Sequence, residues 1–232
     1  MWYKGESYMI IEQQNILFSK WQEKRKYNDF IKDGVFCEEE YVKQPLKILY
    51  VLKEANWNGS VNLCEWILSE PKSGYWRTWN NIARWTKALI EGGEYPHYVS
   101  KTDKSYWVKK IAFLNLKKVG GGAKANKDEI SEYAIRDKKF IKEQILLYNP
   151  DVIICCGRGQ GKNADLLYNE VLTDLNRSEW KKPIKTYNWF TFEINNKDIP
   201  VISFVHPQMW GGHDRFKEKY NDILDIKANL SL

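Results

Sequence analysis

The sequence has few of the residues that build metal sites and disulfide frameworks. It contains three histidines and four cysteines in 232 residues. Cys37 and Cys64 stand alone, Cys155 and Cys156 are adjacent inside an apolar run, and there is no C-x-x-C spacing. This pattern argues against a structural zinc site, an iron–sulfur cluster and paired disulfides. We therefore expect four buried thiols, no metal and no other cofactor.

Long apolar runs, repeats and low-complexity tracts are also missing. No stretch approaches the ~18 apolar residues of a membrane span, and the N-terminus lacks the order of a secretion signal. We therefore expect a cytoplasmic protein with no membrane partner. Its length and its 43% hydrophobic content fit one domain over residues 1–232. Residues 1–40 are polar and helical in pattern, which predicts an appendage to that domain.

Aromatic residues are abundant, and many alternate with basic ones. The chain has 11 Trp and 14 Tyr, with 36 Lys plus Arg against 30 Asp plus Glu, a net charge of +6. The segments "GYWRTWNNIARW" and "SYWVKK" interleave rings with cations, a composition that suits nucleic acid. The alternative is that Trp76, Trp79 and Trp85 form the buried stripe of an amphipathic helix.

Four apolar runs predict the buried strands of an α/β sandwich with a mainly parallel sheet. They are "KILYVL" (47–52), "KIAFL" (110–114), "DVIICC" (151–156) and "PVISFV" (200–205). Helices are expected at residues 77–91 and 127–148, the second with a capping box at Asn126 and Glu129 and a stop at Asn149. A hairpin through Asn195 and Asn196 predicts an antiparallel edge.

Polar residues follow each of these runs. The four exits read Lys53-Glu54-Ala55-Asn56, Asn115, Gly157-Arg158-Gly159 and His206-Pro207. Ligands of open α/β sheets bind beyond the carboxyl ends of the strands, so these exits predict one site. Each exit taken alone is also explained as a cap or a turn.

Other motifs give weaker indications. "CCGRGQGKN" matches neither phosphate-binding template, so it either holds a DNA phosphate through its amides or is a plain turn. The glycines of "KVGGGAKAN" either let the backbone approach a ligand or make a flexible connection. A metal site would need His206, His213, Asp214 and Glu54 together, but the spacing of the two histidines matches no standard ligand pattern.

The strand exits resemble the motifs of the uracil-DNA glycosylase superfamily. "VLKEANWNG" stands where that family has a GQDPYH, GEAPG or GINPG motif, and it is closest to GEAPG through Glu54 and Ala55. "AFLN" matches an LLLN-type segment, and "HPQMWGGHDRF" matches an HPSPL-type motif with its following segment. The resemblance covers residues 46–220. It implies a three-layer α/β/α sandwich with a mainly parallel four-stranded sheet.

The resemblance also implies roles for individual residues. His206 corresponds to the catalytic histidine, and either Glu54 or Asn56 serves the sugar and the attacking water. The base pocket and the DNA contacts are implied as follows: Ala55, Trp57 and Asn115 at the base, with Gly157, Arg158, Gln208, Met209, Trp210, His213 and Arg215 at the DNA. Met209 and Trp210 are expected to be exposed, as the wedge that fills the gap left by an extruded base.

The activity implied is that of a monofunctional DNA glycosylase that leaves an abasic site. Three motif residues differ from the family pattern: Lys53 replaces a glycine, Asn56 replaces a proline, and Ala55 stands where the GQDPYH type has its general-base aspartate. The four-cysteine cluster of many GEAPG-type members is absent. These differences favour a modified pyrimidine over uracil, since some relatives remove modified cytosines from phage DNA in bacterial defence.

Two other functions fit the same sequence. A catalytically silent DNA-binding relative would keep the wedge and the basic surface. A metal-dependent phosphoesterase would lose its activity to a chelator. For the glycosylase we expect DNA as the partner and a monomer as the active form.

Overall fold

The computed structural model describes residues 10–69, 77–122 and 124–232. Its helices are α1 (Ile10–Arg25), α2 (Glu38–Val42), α3 (Leu63–Ser69), α4 (Arg77–Ile90), α5 (Lys101–Val108), α6 (Lys127–Tyr148), α7 (Asn163–Leu166) and α8 (His213–Leu230), and a π-helical turn (Leu167–Val171) follows α7. Its strands are β1 (Ile31–Lys32), β2 (Gly34–Val35), β3 (Ile48–Leu52), β4 (Val61–Asn62), β5 (Ala112–Asn115), β6 (Val152–Cys156), β7 (Lys181–Ile184), β8 (Tyr187–Ile194) and β9 (Lys197–Phe204). Within these ranges, no helix combines the length and the apolar character needed to cross a bilayer.

The protein is a mixed α/β fold around one large open sheet. The strand order is β2-β5-β3-β6-β9-β8-β7. The pairs β5–β3, β3–β6 and β6–β9 are parallel, whereas β2, β8 and β7 pair antiparallel with their neighbours. The expectation of a four-stranded sheet is therefore wrong, because antiparallel strands extend the four predicted ones at both ends. Strands β1 and β4 form a separate parallel pair.

Alternate residues of the central strands enter two different apolar clusters. Tyr50 and Ile154 belong to one cluster, while Leu49 and Ile153 belong to the other. Because successive side chains of a strand point to opposite faces, the two clusters lie on opposite faces of the sheet. Helices α4 and α8 contribute to the first cluster, and α1 and α6 contribute to the second. Helices thus cover both faces of the sheet.

The N-terminal segment is part of this core. Helix α1 buries Leu17, Phe18 and Trp21, and the Trp21 ring stacks on Phe140 of α6 at 5.2 Å. Strand β2 of the same segment pairs with β5. The prediction of an appendage over residues 1–40 is therefore wrong for residues 10–40. The three apolar residues share one face of α1 and are enough to dock it, although the rest of the helix is polar.

The predicted helix ends and the hairpin are found. Asn126 caps α6 by accepting from the backbone N–H groups of Asp128 and Glu129, although the reciprocal bond of a capping box is not formed. Asn149 ends α6 in the left-handed conformation. Asn195 and Asn196 both have positive φ, 52° and 63°, as a two-residue hairpin turn with the right twist requires.

The tryptophans of α4 and three of the four cysteines are part of the buried interior. Trp79 and Trp85 are buried, whereas Trp76 lies outside the described residues. Cys64, Cys155 and Cys156 are buried free thiols, and Cys37 is half-buried. Burial raises the pKa of each of the three buried thiols, so none of them is poised as a nucleophile.

The two ends of the sheet are built differently. Strand β2, at one end, has only the residues Gly34 and Val35. Strand β7, at the other end, reads Lys181, Lys182, Pro183 and Ile184. Neither end strand is long and apolar.

Candidate active site at the carboxyl ends of the parallel strands

The four predicted exits lie at one edge of the sheet because β3, β5, β6 and β9 run parallel. Backbone hydrogen bonds continue beyond the strands and join the exits to one another. The N–H of Lys117 donates to the Lys53 carbonyl at 2.9 Å, and the N–H of Gly157 donates to the Phe204 carbonyl at 2.8 Å. The chain segments that carry the candidate residues are thus held side by side by the sheet.

His206 is held as a neutral hydrogen-bond donor. The backbone N–H of Gln208 donates to its Nδ1 at 3.1 Å. Burial, and then the positive charge of Lys53, lowers the pKa of His206 to about 4. A neutral imidazole that accepts at Nδ1 carries its proton on Nε2. At physiological pH, His206 therefore offers one N–H group and no positive charge.

Two residues of α4 fix the loop that carries His206. Asn81 is buried, and its Nδ2 donates to the Pro207 carbonyl at 2.7 Å. Arg84 donates to Asn81 Oδ1 at 3.1 Å and to the His97 carbonyl at 3.1 Å. Neither residue was among the candidates predicted from the sequence. The sequence pattern that could have identified them is an amide and an arginine at i and i+3 on an otherwise apolar helix face. Such residues need hydrogen-bond partners when they are buried.

Asn115 is the last residue of β5 and is 2% exposed. Its backbone N–H donates to Asp33 Oδ2 at 2.7 Å. Asp33 in turn accepts from Lys118 Nζ at 2.7 Å and from Gln144 Nε2 at 2.8 Å. Among the described residues the side-chain Nδ2 of Asn115 has no hydrogen-bond partner. A buried donor of this kind costs free energy until a ligand supplies an acceptor.

Glu54 is engaged in an ion-pair chain. Its Oε2 lies 2.8 Å from Lys117 Nζ, which also lies 2.7 Å from Glu129 Oε1. A Cβ at Gly121 would lie 2.0 Å from the Glu54 carboxyl carbon, and the Gly121 N–H donates to the Ala55 carbonyl at 2.8 Å. The glycine-rich loop therefore packs closely against the segment that carries Glu54 and Ala55. Lys117, which was not among the candidates predicted from the sequence, holds the carboxylate in place.

The residues after Glu54 differ in exposure. Ala55 and Trp57 are half-buried and pack against the apolar cluster on the α4 and α8 face. The ring of Trp57 meets Trp66 edge to face at 5.0 Å. Asn56, between them, is exposed. Of the two candidates for positioning water, Asn56 is thus open to solvent, whereas Glu54 is enclosed.

The structure separates the two residues of the predicted wedge. Trp210 is 80% exposed, and the guanidinium carbon of Arg77 lies 5.1 Å from its ring centroid. Met209 is 8% exposed and belongs to the core. The expectation that Met209 is exposed is therefore wrong. The turn closed by the Met209 N–H and the His206 carbonyl, at 3.0 Å, turns the methionine inward.

Two glycine amides of the loop after β6 form hydrogen bonds within the fold. The N–H of Gly157 donates to the Phe204 carbonyl, and the N–H of Gly161 donates to Asp165 Oδ2 at 2.7 Å. The Gly157 amide is therefore not available to a DNA phosphate, contrary to expectation. Arg158 is exposed and donates to Thr186 Oγ1 at 2.8 Å, so it leans toward the β7–β8 turn.

The remaining predicted DNA contacts lie near the start of α8. Gln208, His213 and Arg215 are exposed. The His213 ring lies 5.9 Å from that of His97. A Cβ at Gly211 would lie 2.5 Å from Arg215 Cδ, so the arginine side chain crosses this glycine. We name the set Arg77, Trp210, His213 and Arg215 the α8 surface.

The candidate metal ligands do not come together. In the part of the chain that the structure describes, no group of three or more His, Cys, Asp or Glu side chains is arranged to hold a metal ion. His206 Nδ1 accepts a backbone N–H, and the carboxylate of Glu54 contacts Lys117.

Comparisons with known proteins assign no family to this chain. No protein-family model matches it. No curated protein matches it either. Membership of the uracil-DNA glycosylase superfamily therefore stays a prediction from the motif residues.

Proposed function

We propose that this protein is a DNA glycosylase that breaks the bond between an extruded base and its deoxyribose. The observation that carries the proposal is His206, a neutral N–H donor fixed at the edge where the parallel strands end. The buried and unpartnered Nδ2 of Asn115 at the same edge supplies a second donor for a base. The motif resemblance suggests the same reaction.

The chemistry requires a donor of this kind. As the glycosidic bond lengthens, positive charge develops on the sugar and negative charge on the departing base. A fixed N–H group at the base stabilises the transition state more than the ground state, where the base oxygen carries less charge. His206 Nε2–H performs this task without transferring its proton.

Asn115 is proposed to read the base. Its amide donates through Nδ2 and accepts through Oδ1, so it matches a pyrimidine edge that carries one acceptor and one donor. The unpartnered Nδ2 fits a carbonyl or ring-nitrogen acceptor. Uracil and modified cytosines, including those of phage DNA, both present such an edge. The altered first motif, with Lys53 and Asn56, favours the modified cytosines.

Asn56 is proposed to orient the attacking water. It is exposed at the strand edge, so water reaches it directly. Glu54 is enclosed by Gly121 and bound to Lys117. Its carboxylate therefore acts as a fixed negative charge near the sugar rather than as the base that takes a proton from water.

A catalytically silent DNA-binding relative is the second candidate. Ala55 carries no carboxylate where GQDPYH-type members have their general base, which is the observation that favours it. Both candidates predict DNA binding through the α8 surface. Only the glycosylase releases a base.

We expect one modified-base substrate to yield alkali-labile DNA. Single-stranded and duplex oligonucleotides with uracil, hypoxanthine, hydroxymethylcytosine or glucosylated hydroxymethylcytosine, and native DNA of phages with modified cytosine, are incubated with the full chain. The DNA is analysed with and without alkali, and released bases are identified by mass spectrometry. If the protein binds these DNAs and releases no base from any of them, the silent relative is correct.

Trp210→Ala is expected to slow excision from a stable base pair much more than from a mismatch or a single strand. Extrusion from a stable pair costs a few kcal/mol more, and an exposed indole is placed to fill the vacated space. The thermal midpoint should stay near that of the wild type, since Trp210 is 80% exposed. Single-turnover rates on the three substrates give the comparison.

Tyr106→Ala is the matched control for Trp210. Tyr106 is also an exposed aromatic residue, but its ring lies 4.5 Å from Lys110 Nζ, near the start of β5 and thus at the opposite end of the strand. Its removal should leave all three rates unchanged. An equal loss on the three substrates with Trp210→Ala would rule out the wedge.

A further inference from the structure

Lys53 is the first residue after β3, where the resembled family has glycine. Its side chain crosses Gly157 of the neighbouring exit. A Cβ at Gly157 would lie 3.3 Å from Lys53 Cε and 4.0 Å from its Nζ, and Gly157 has a φ of +119°. Glycine is therefore the residue that leaves room for this amine and adopts this backbone conformation without strain.

The amine of Lys53 has cationic neighbours and, within the described part of the chain, no carboxylate in an ion pair with it. Lys53, Lys127 and Lys162 line the same small cavity beside α7. In the described ranges, none of the three makes an ion pair, and the nearby Glu54 is bound to Lys117. Burial, and then Lys162, lowers the pKa of Lys53, while Glu54 acts in the opposite direction. A lysine that is desolvated next to another cation is in the environment that activates amines as nucleophiles.

The same amine lies beside the segment that leads to the proposed catalytic histidine, because Lys53 crosses Gly157, whose N–H donates to the carbonyl of Phe204 two residues before His206. The charge of Lys53 is one cause of the low pKa of His206, so the two groups interact electrostatically at the strand edge. The deoxyribose of a nucleotide whose base meets His206 would lie at this edge. We therefore assign Lys53 to the sugar side of the proposed reaction.

We propose that Lys53 forms an imine with the aldehyde of an abasic site, which gives the protein a strand-cleaving lyase activity. The inference rests on the proposed glycosylase function, because it acts on the product of that reaction. It changes the expectation of a monofunctional enzyme, since base removal would be followed by cleavage of the DNA strand.

The step balances without any co-reactant other than water. The lone pair of the neutral amine attacks C1′ of the ring-opened aldehyde, and loss of one water from the adduct leaves a C=N bond. The imine acidifies the hydrogen on C2′, and a water molecule takes that proton. The electron pair of the C2′–H bond forms a C2′=C3′ bond as the C3′–O bond breaks and the phosphate departs. Hydrolysis of the imine then restores Lys53.

The test starts from DNA that already contains an abasic site, so it does not depend on base removal. The full chain is incubated with this duplex and sodium borohydride, which reduces an imine to a stable amine. We expect a covalent protein–DNA product, with the cross-linked peptide containing Lys53. Without borohydride, we expect strand cleavage in the absence of alkali.

The variant Lys53→Arg distinguishes nucleophilic attack by the amine from a purely electrostatic contribution of its positive charge to DNA binding. Arginine keeps the positive charge but does not form an imine under these conditions, so both the cross-link and the cleavage should be lost while affinity for the abasic duplex is kept. Lys127→Ala removes another lysine that lines the same cavity, and it should keep both activities.

The pH dependence of trapping gives an independent readout. The charged or titratable groups near the amine are Glu54, Lys127, Lys162 and His206. Lys162→Ala removes a positive charge that favours the neutral amine, so the trapping profile should shift to higher pH.

A cross-link that maps to another lysine would overturn the proposal. So would a Lys53→Arg variant that is trapped on the DNA as efficiently as the wild type. Failure to trap with intact base release refutes the lyase alone. Trapping without base release refutes the glycosylase alone.

Discussion

His206→Ala is expected to lower the single-turnover rate of base excision by about 10²–10³-fold, the usual effect of removing one donor to a developing negative charge. Affinity for substrate DNA should change little, since in the proposed reaction the imidazole acts on the extruded base, whereas phosphate contacts dominate binding. Because the pKa of His206 is lowered to about 4, the ratio of wild-type to variant rates should be constant from about pH 5.5 to 8. Quenched-flow excision assays across this range provide the measurement.

Asn115→Ala should reduce the rate in the same way, with the loss depending on the identity of the base. His97→Ala is the matched control, because it removes a histidine that lies beside His213 and Tyr95 and has no proposed role. Wild-type rates in both His206→Ala and Asn115→Ala, with folding intact, would show that the pocket is wrongly assigned.

Asp33→Ala is expected to cost about 3–5 kcal/mol of stability, the usual effect of breaking a buried ion pair by removing one partner. Lys118 is fully buried, and in the described part of the chain its ammonium donates to Asp33 alone. The variant also leaves the backbone N–H of Asn115 without its acceptor, and it removes one of the two acceptors of Gln144 Nε2, which keeps the hydroxyl of Tyr148. At about 2–4 °C per kcal/mol for a chain of this size, the melting temperature should fall by about 10 °C. Urea and thermal unfolding measure both quantities.

The double variant Asp33→Ala/Lys118→Met tests whether the unpaired ammonium of Lys118 causes the loss of stability. It removes the uncompensated ammonium and keeps a side chain of similar length, so part of the lost stability should return. Lys43→Ala breaks the exposed Lys43–Glu39 pair and should leave the melting temperature nearly unchanged. If the single variant Asp33→Ala were as stable as the wild type, the buried network would contribute no stability.

The parallel strands and the hairpin were predictable because their signals are local. Apolar runs marked β3, β5, β6 and β9, and the pair Asn195-Asn196 marked the turn between β8 and β9. Strand β2 was missed because two residues carry no periodicity. Helix α1 was taken for part of an appendage because its buried stripe of Leu17, Phe18 and Trp21 sits among polar neighbours.

The side chains of the candidate site were predictable only in part. The strand exits placed His206 and Asn115 at one edge, since the direction of parallel strands decides that. The partners that orient them were not predictable, because Asp33 lies 82 residues from Asn115 and Asn81 lies 126 residues from Pro207 in the chain. Met209 was misjudged because neighbouring residues of a turn face opposite directions, and sequence alone does not say which one enters the core.

The end strands of the sheet have a consequence for how the protein behaves at high concentration. An unpaired strand edge is a template on which another chain can add a strand, and proteins limit this hazard with short edges, lysines and proline. Strand β2 is too short to recruit a partner, and β7 carries Lys181, Lys182 and Pro183. Replacing these three residues with β-branched apolar ones would extend an open hydrogen-bonding ladder toward solvent, so fibrillar aggregation would begin at β7.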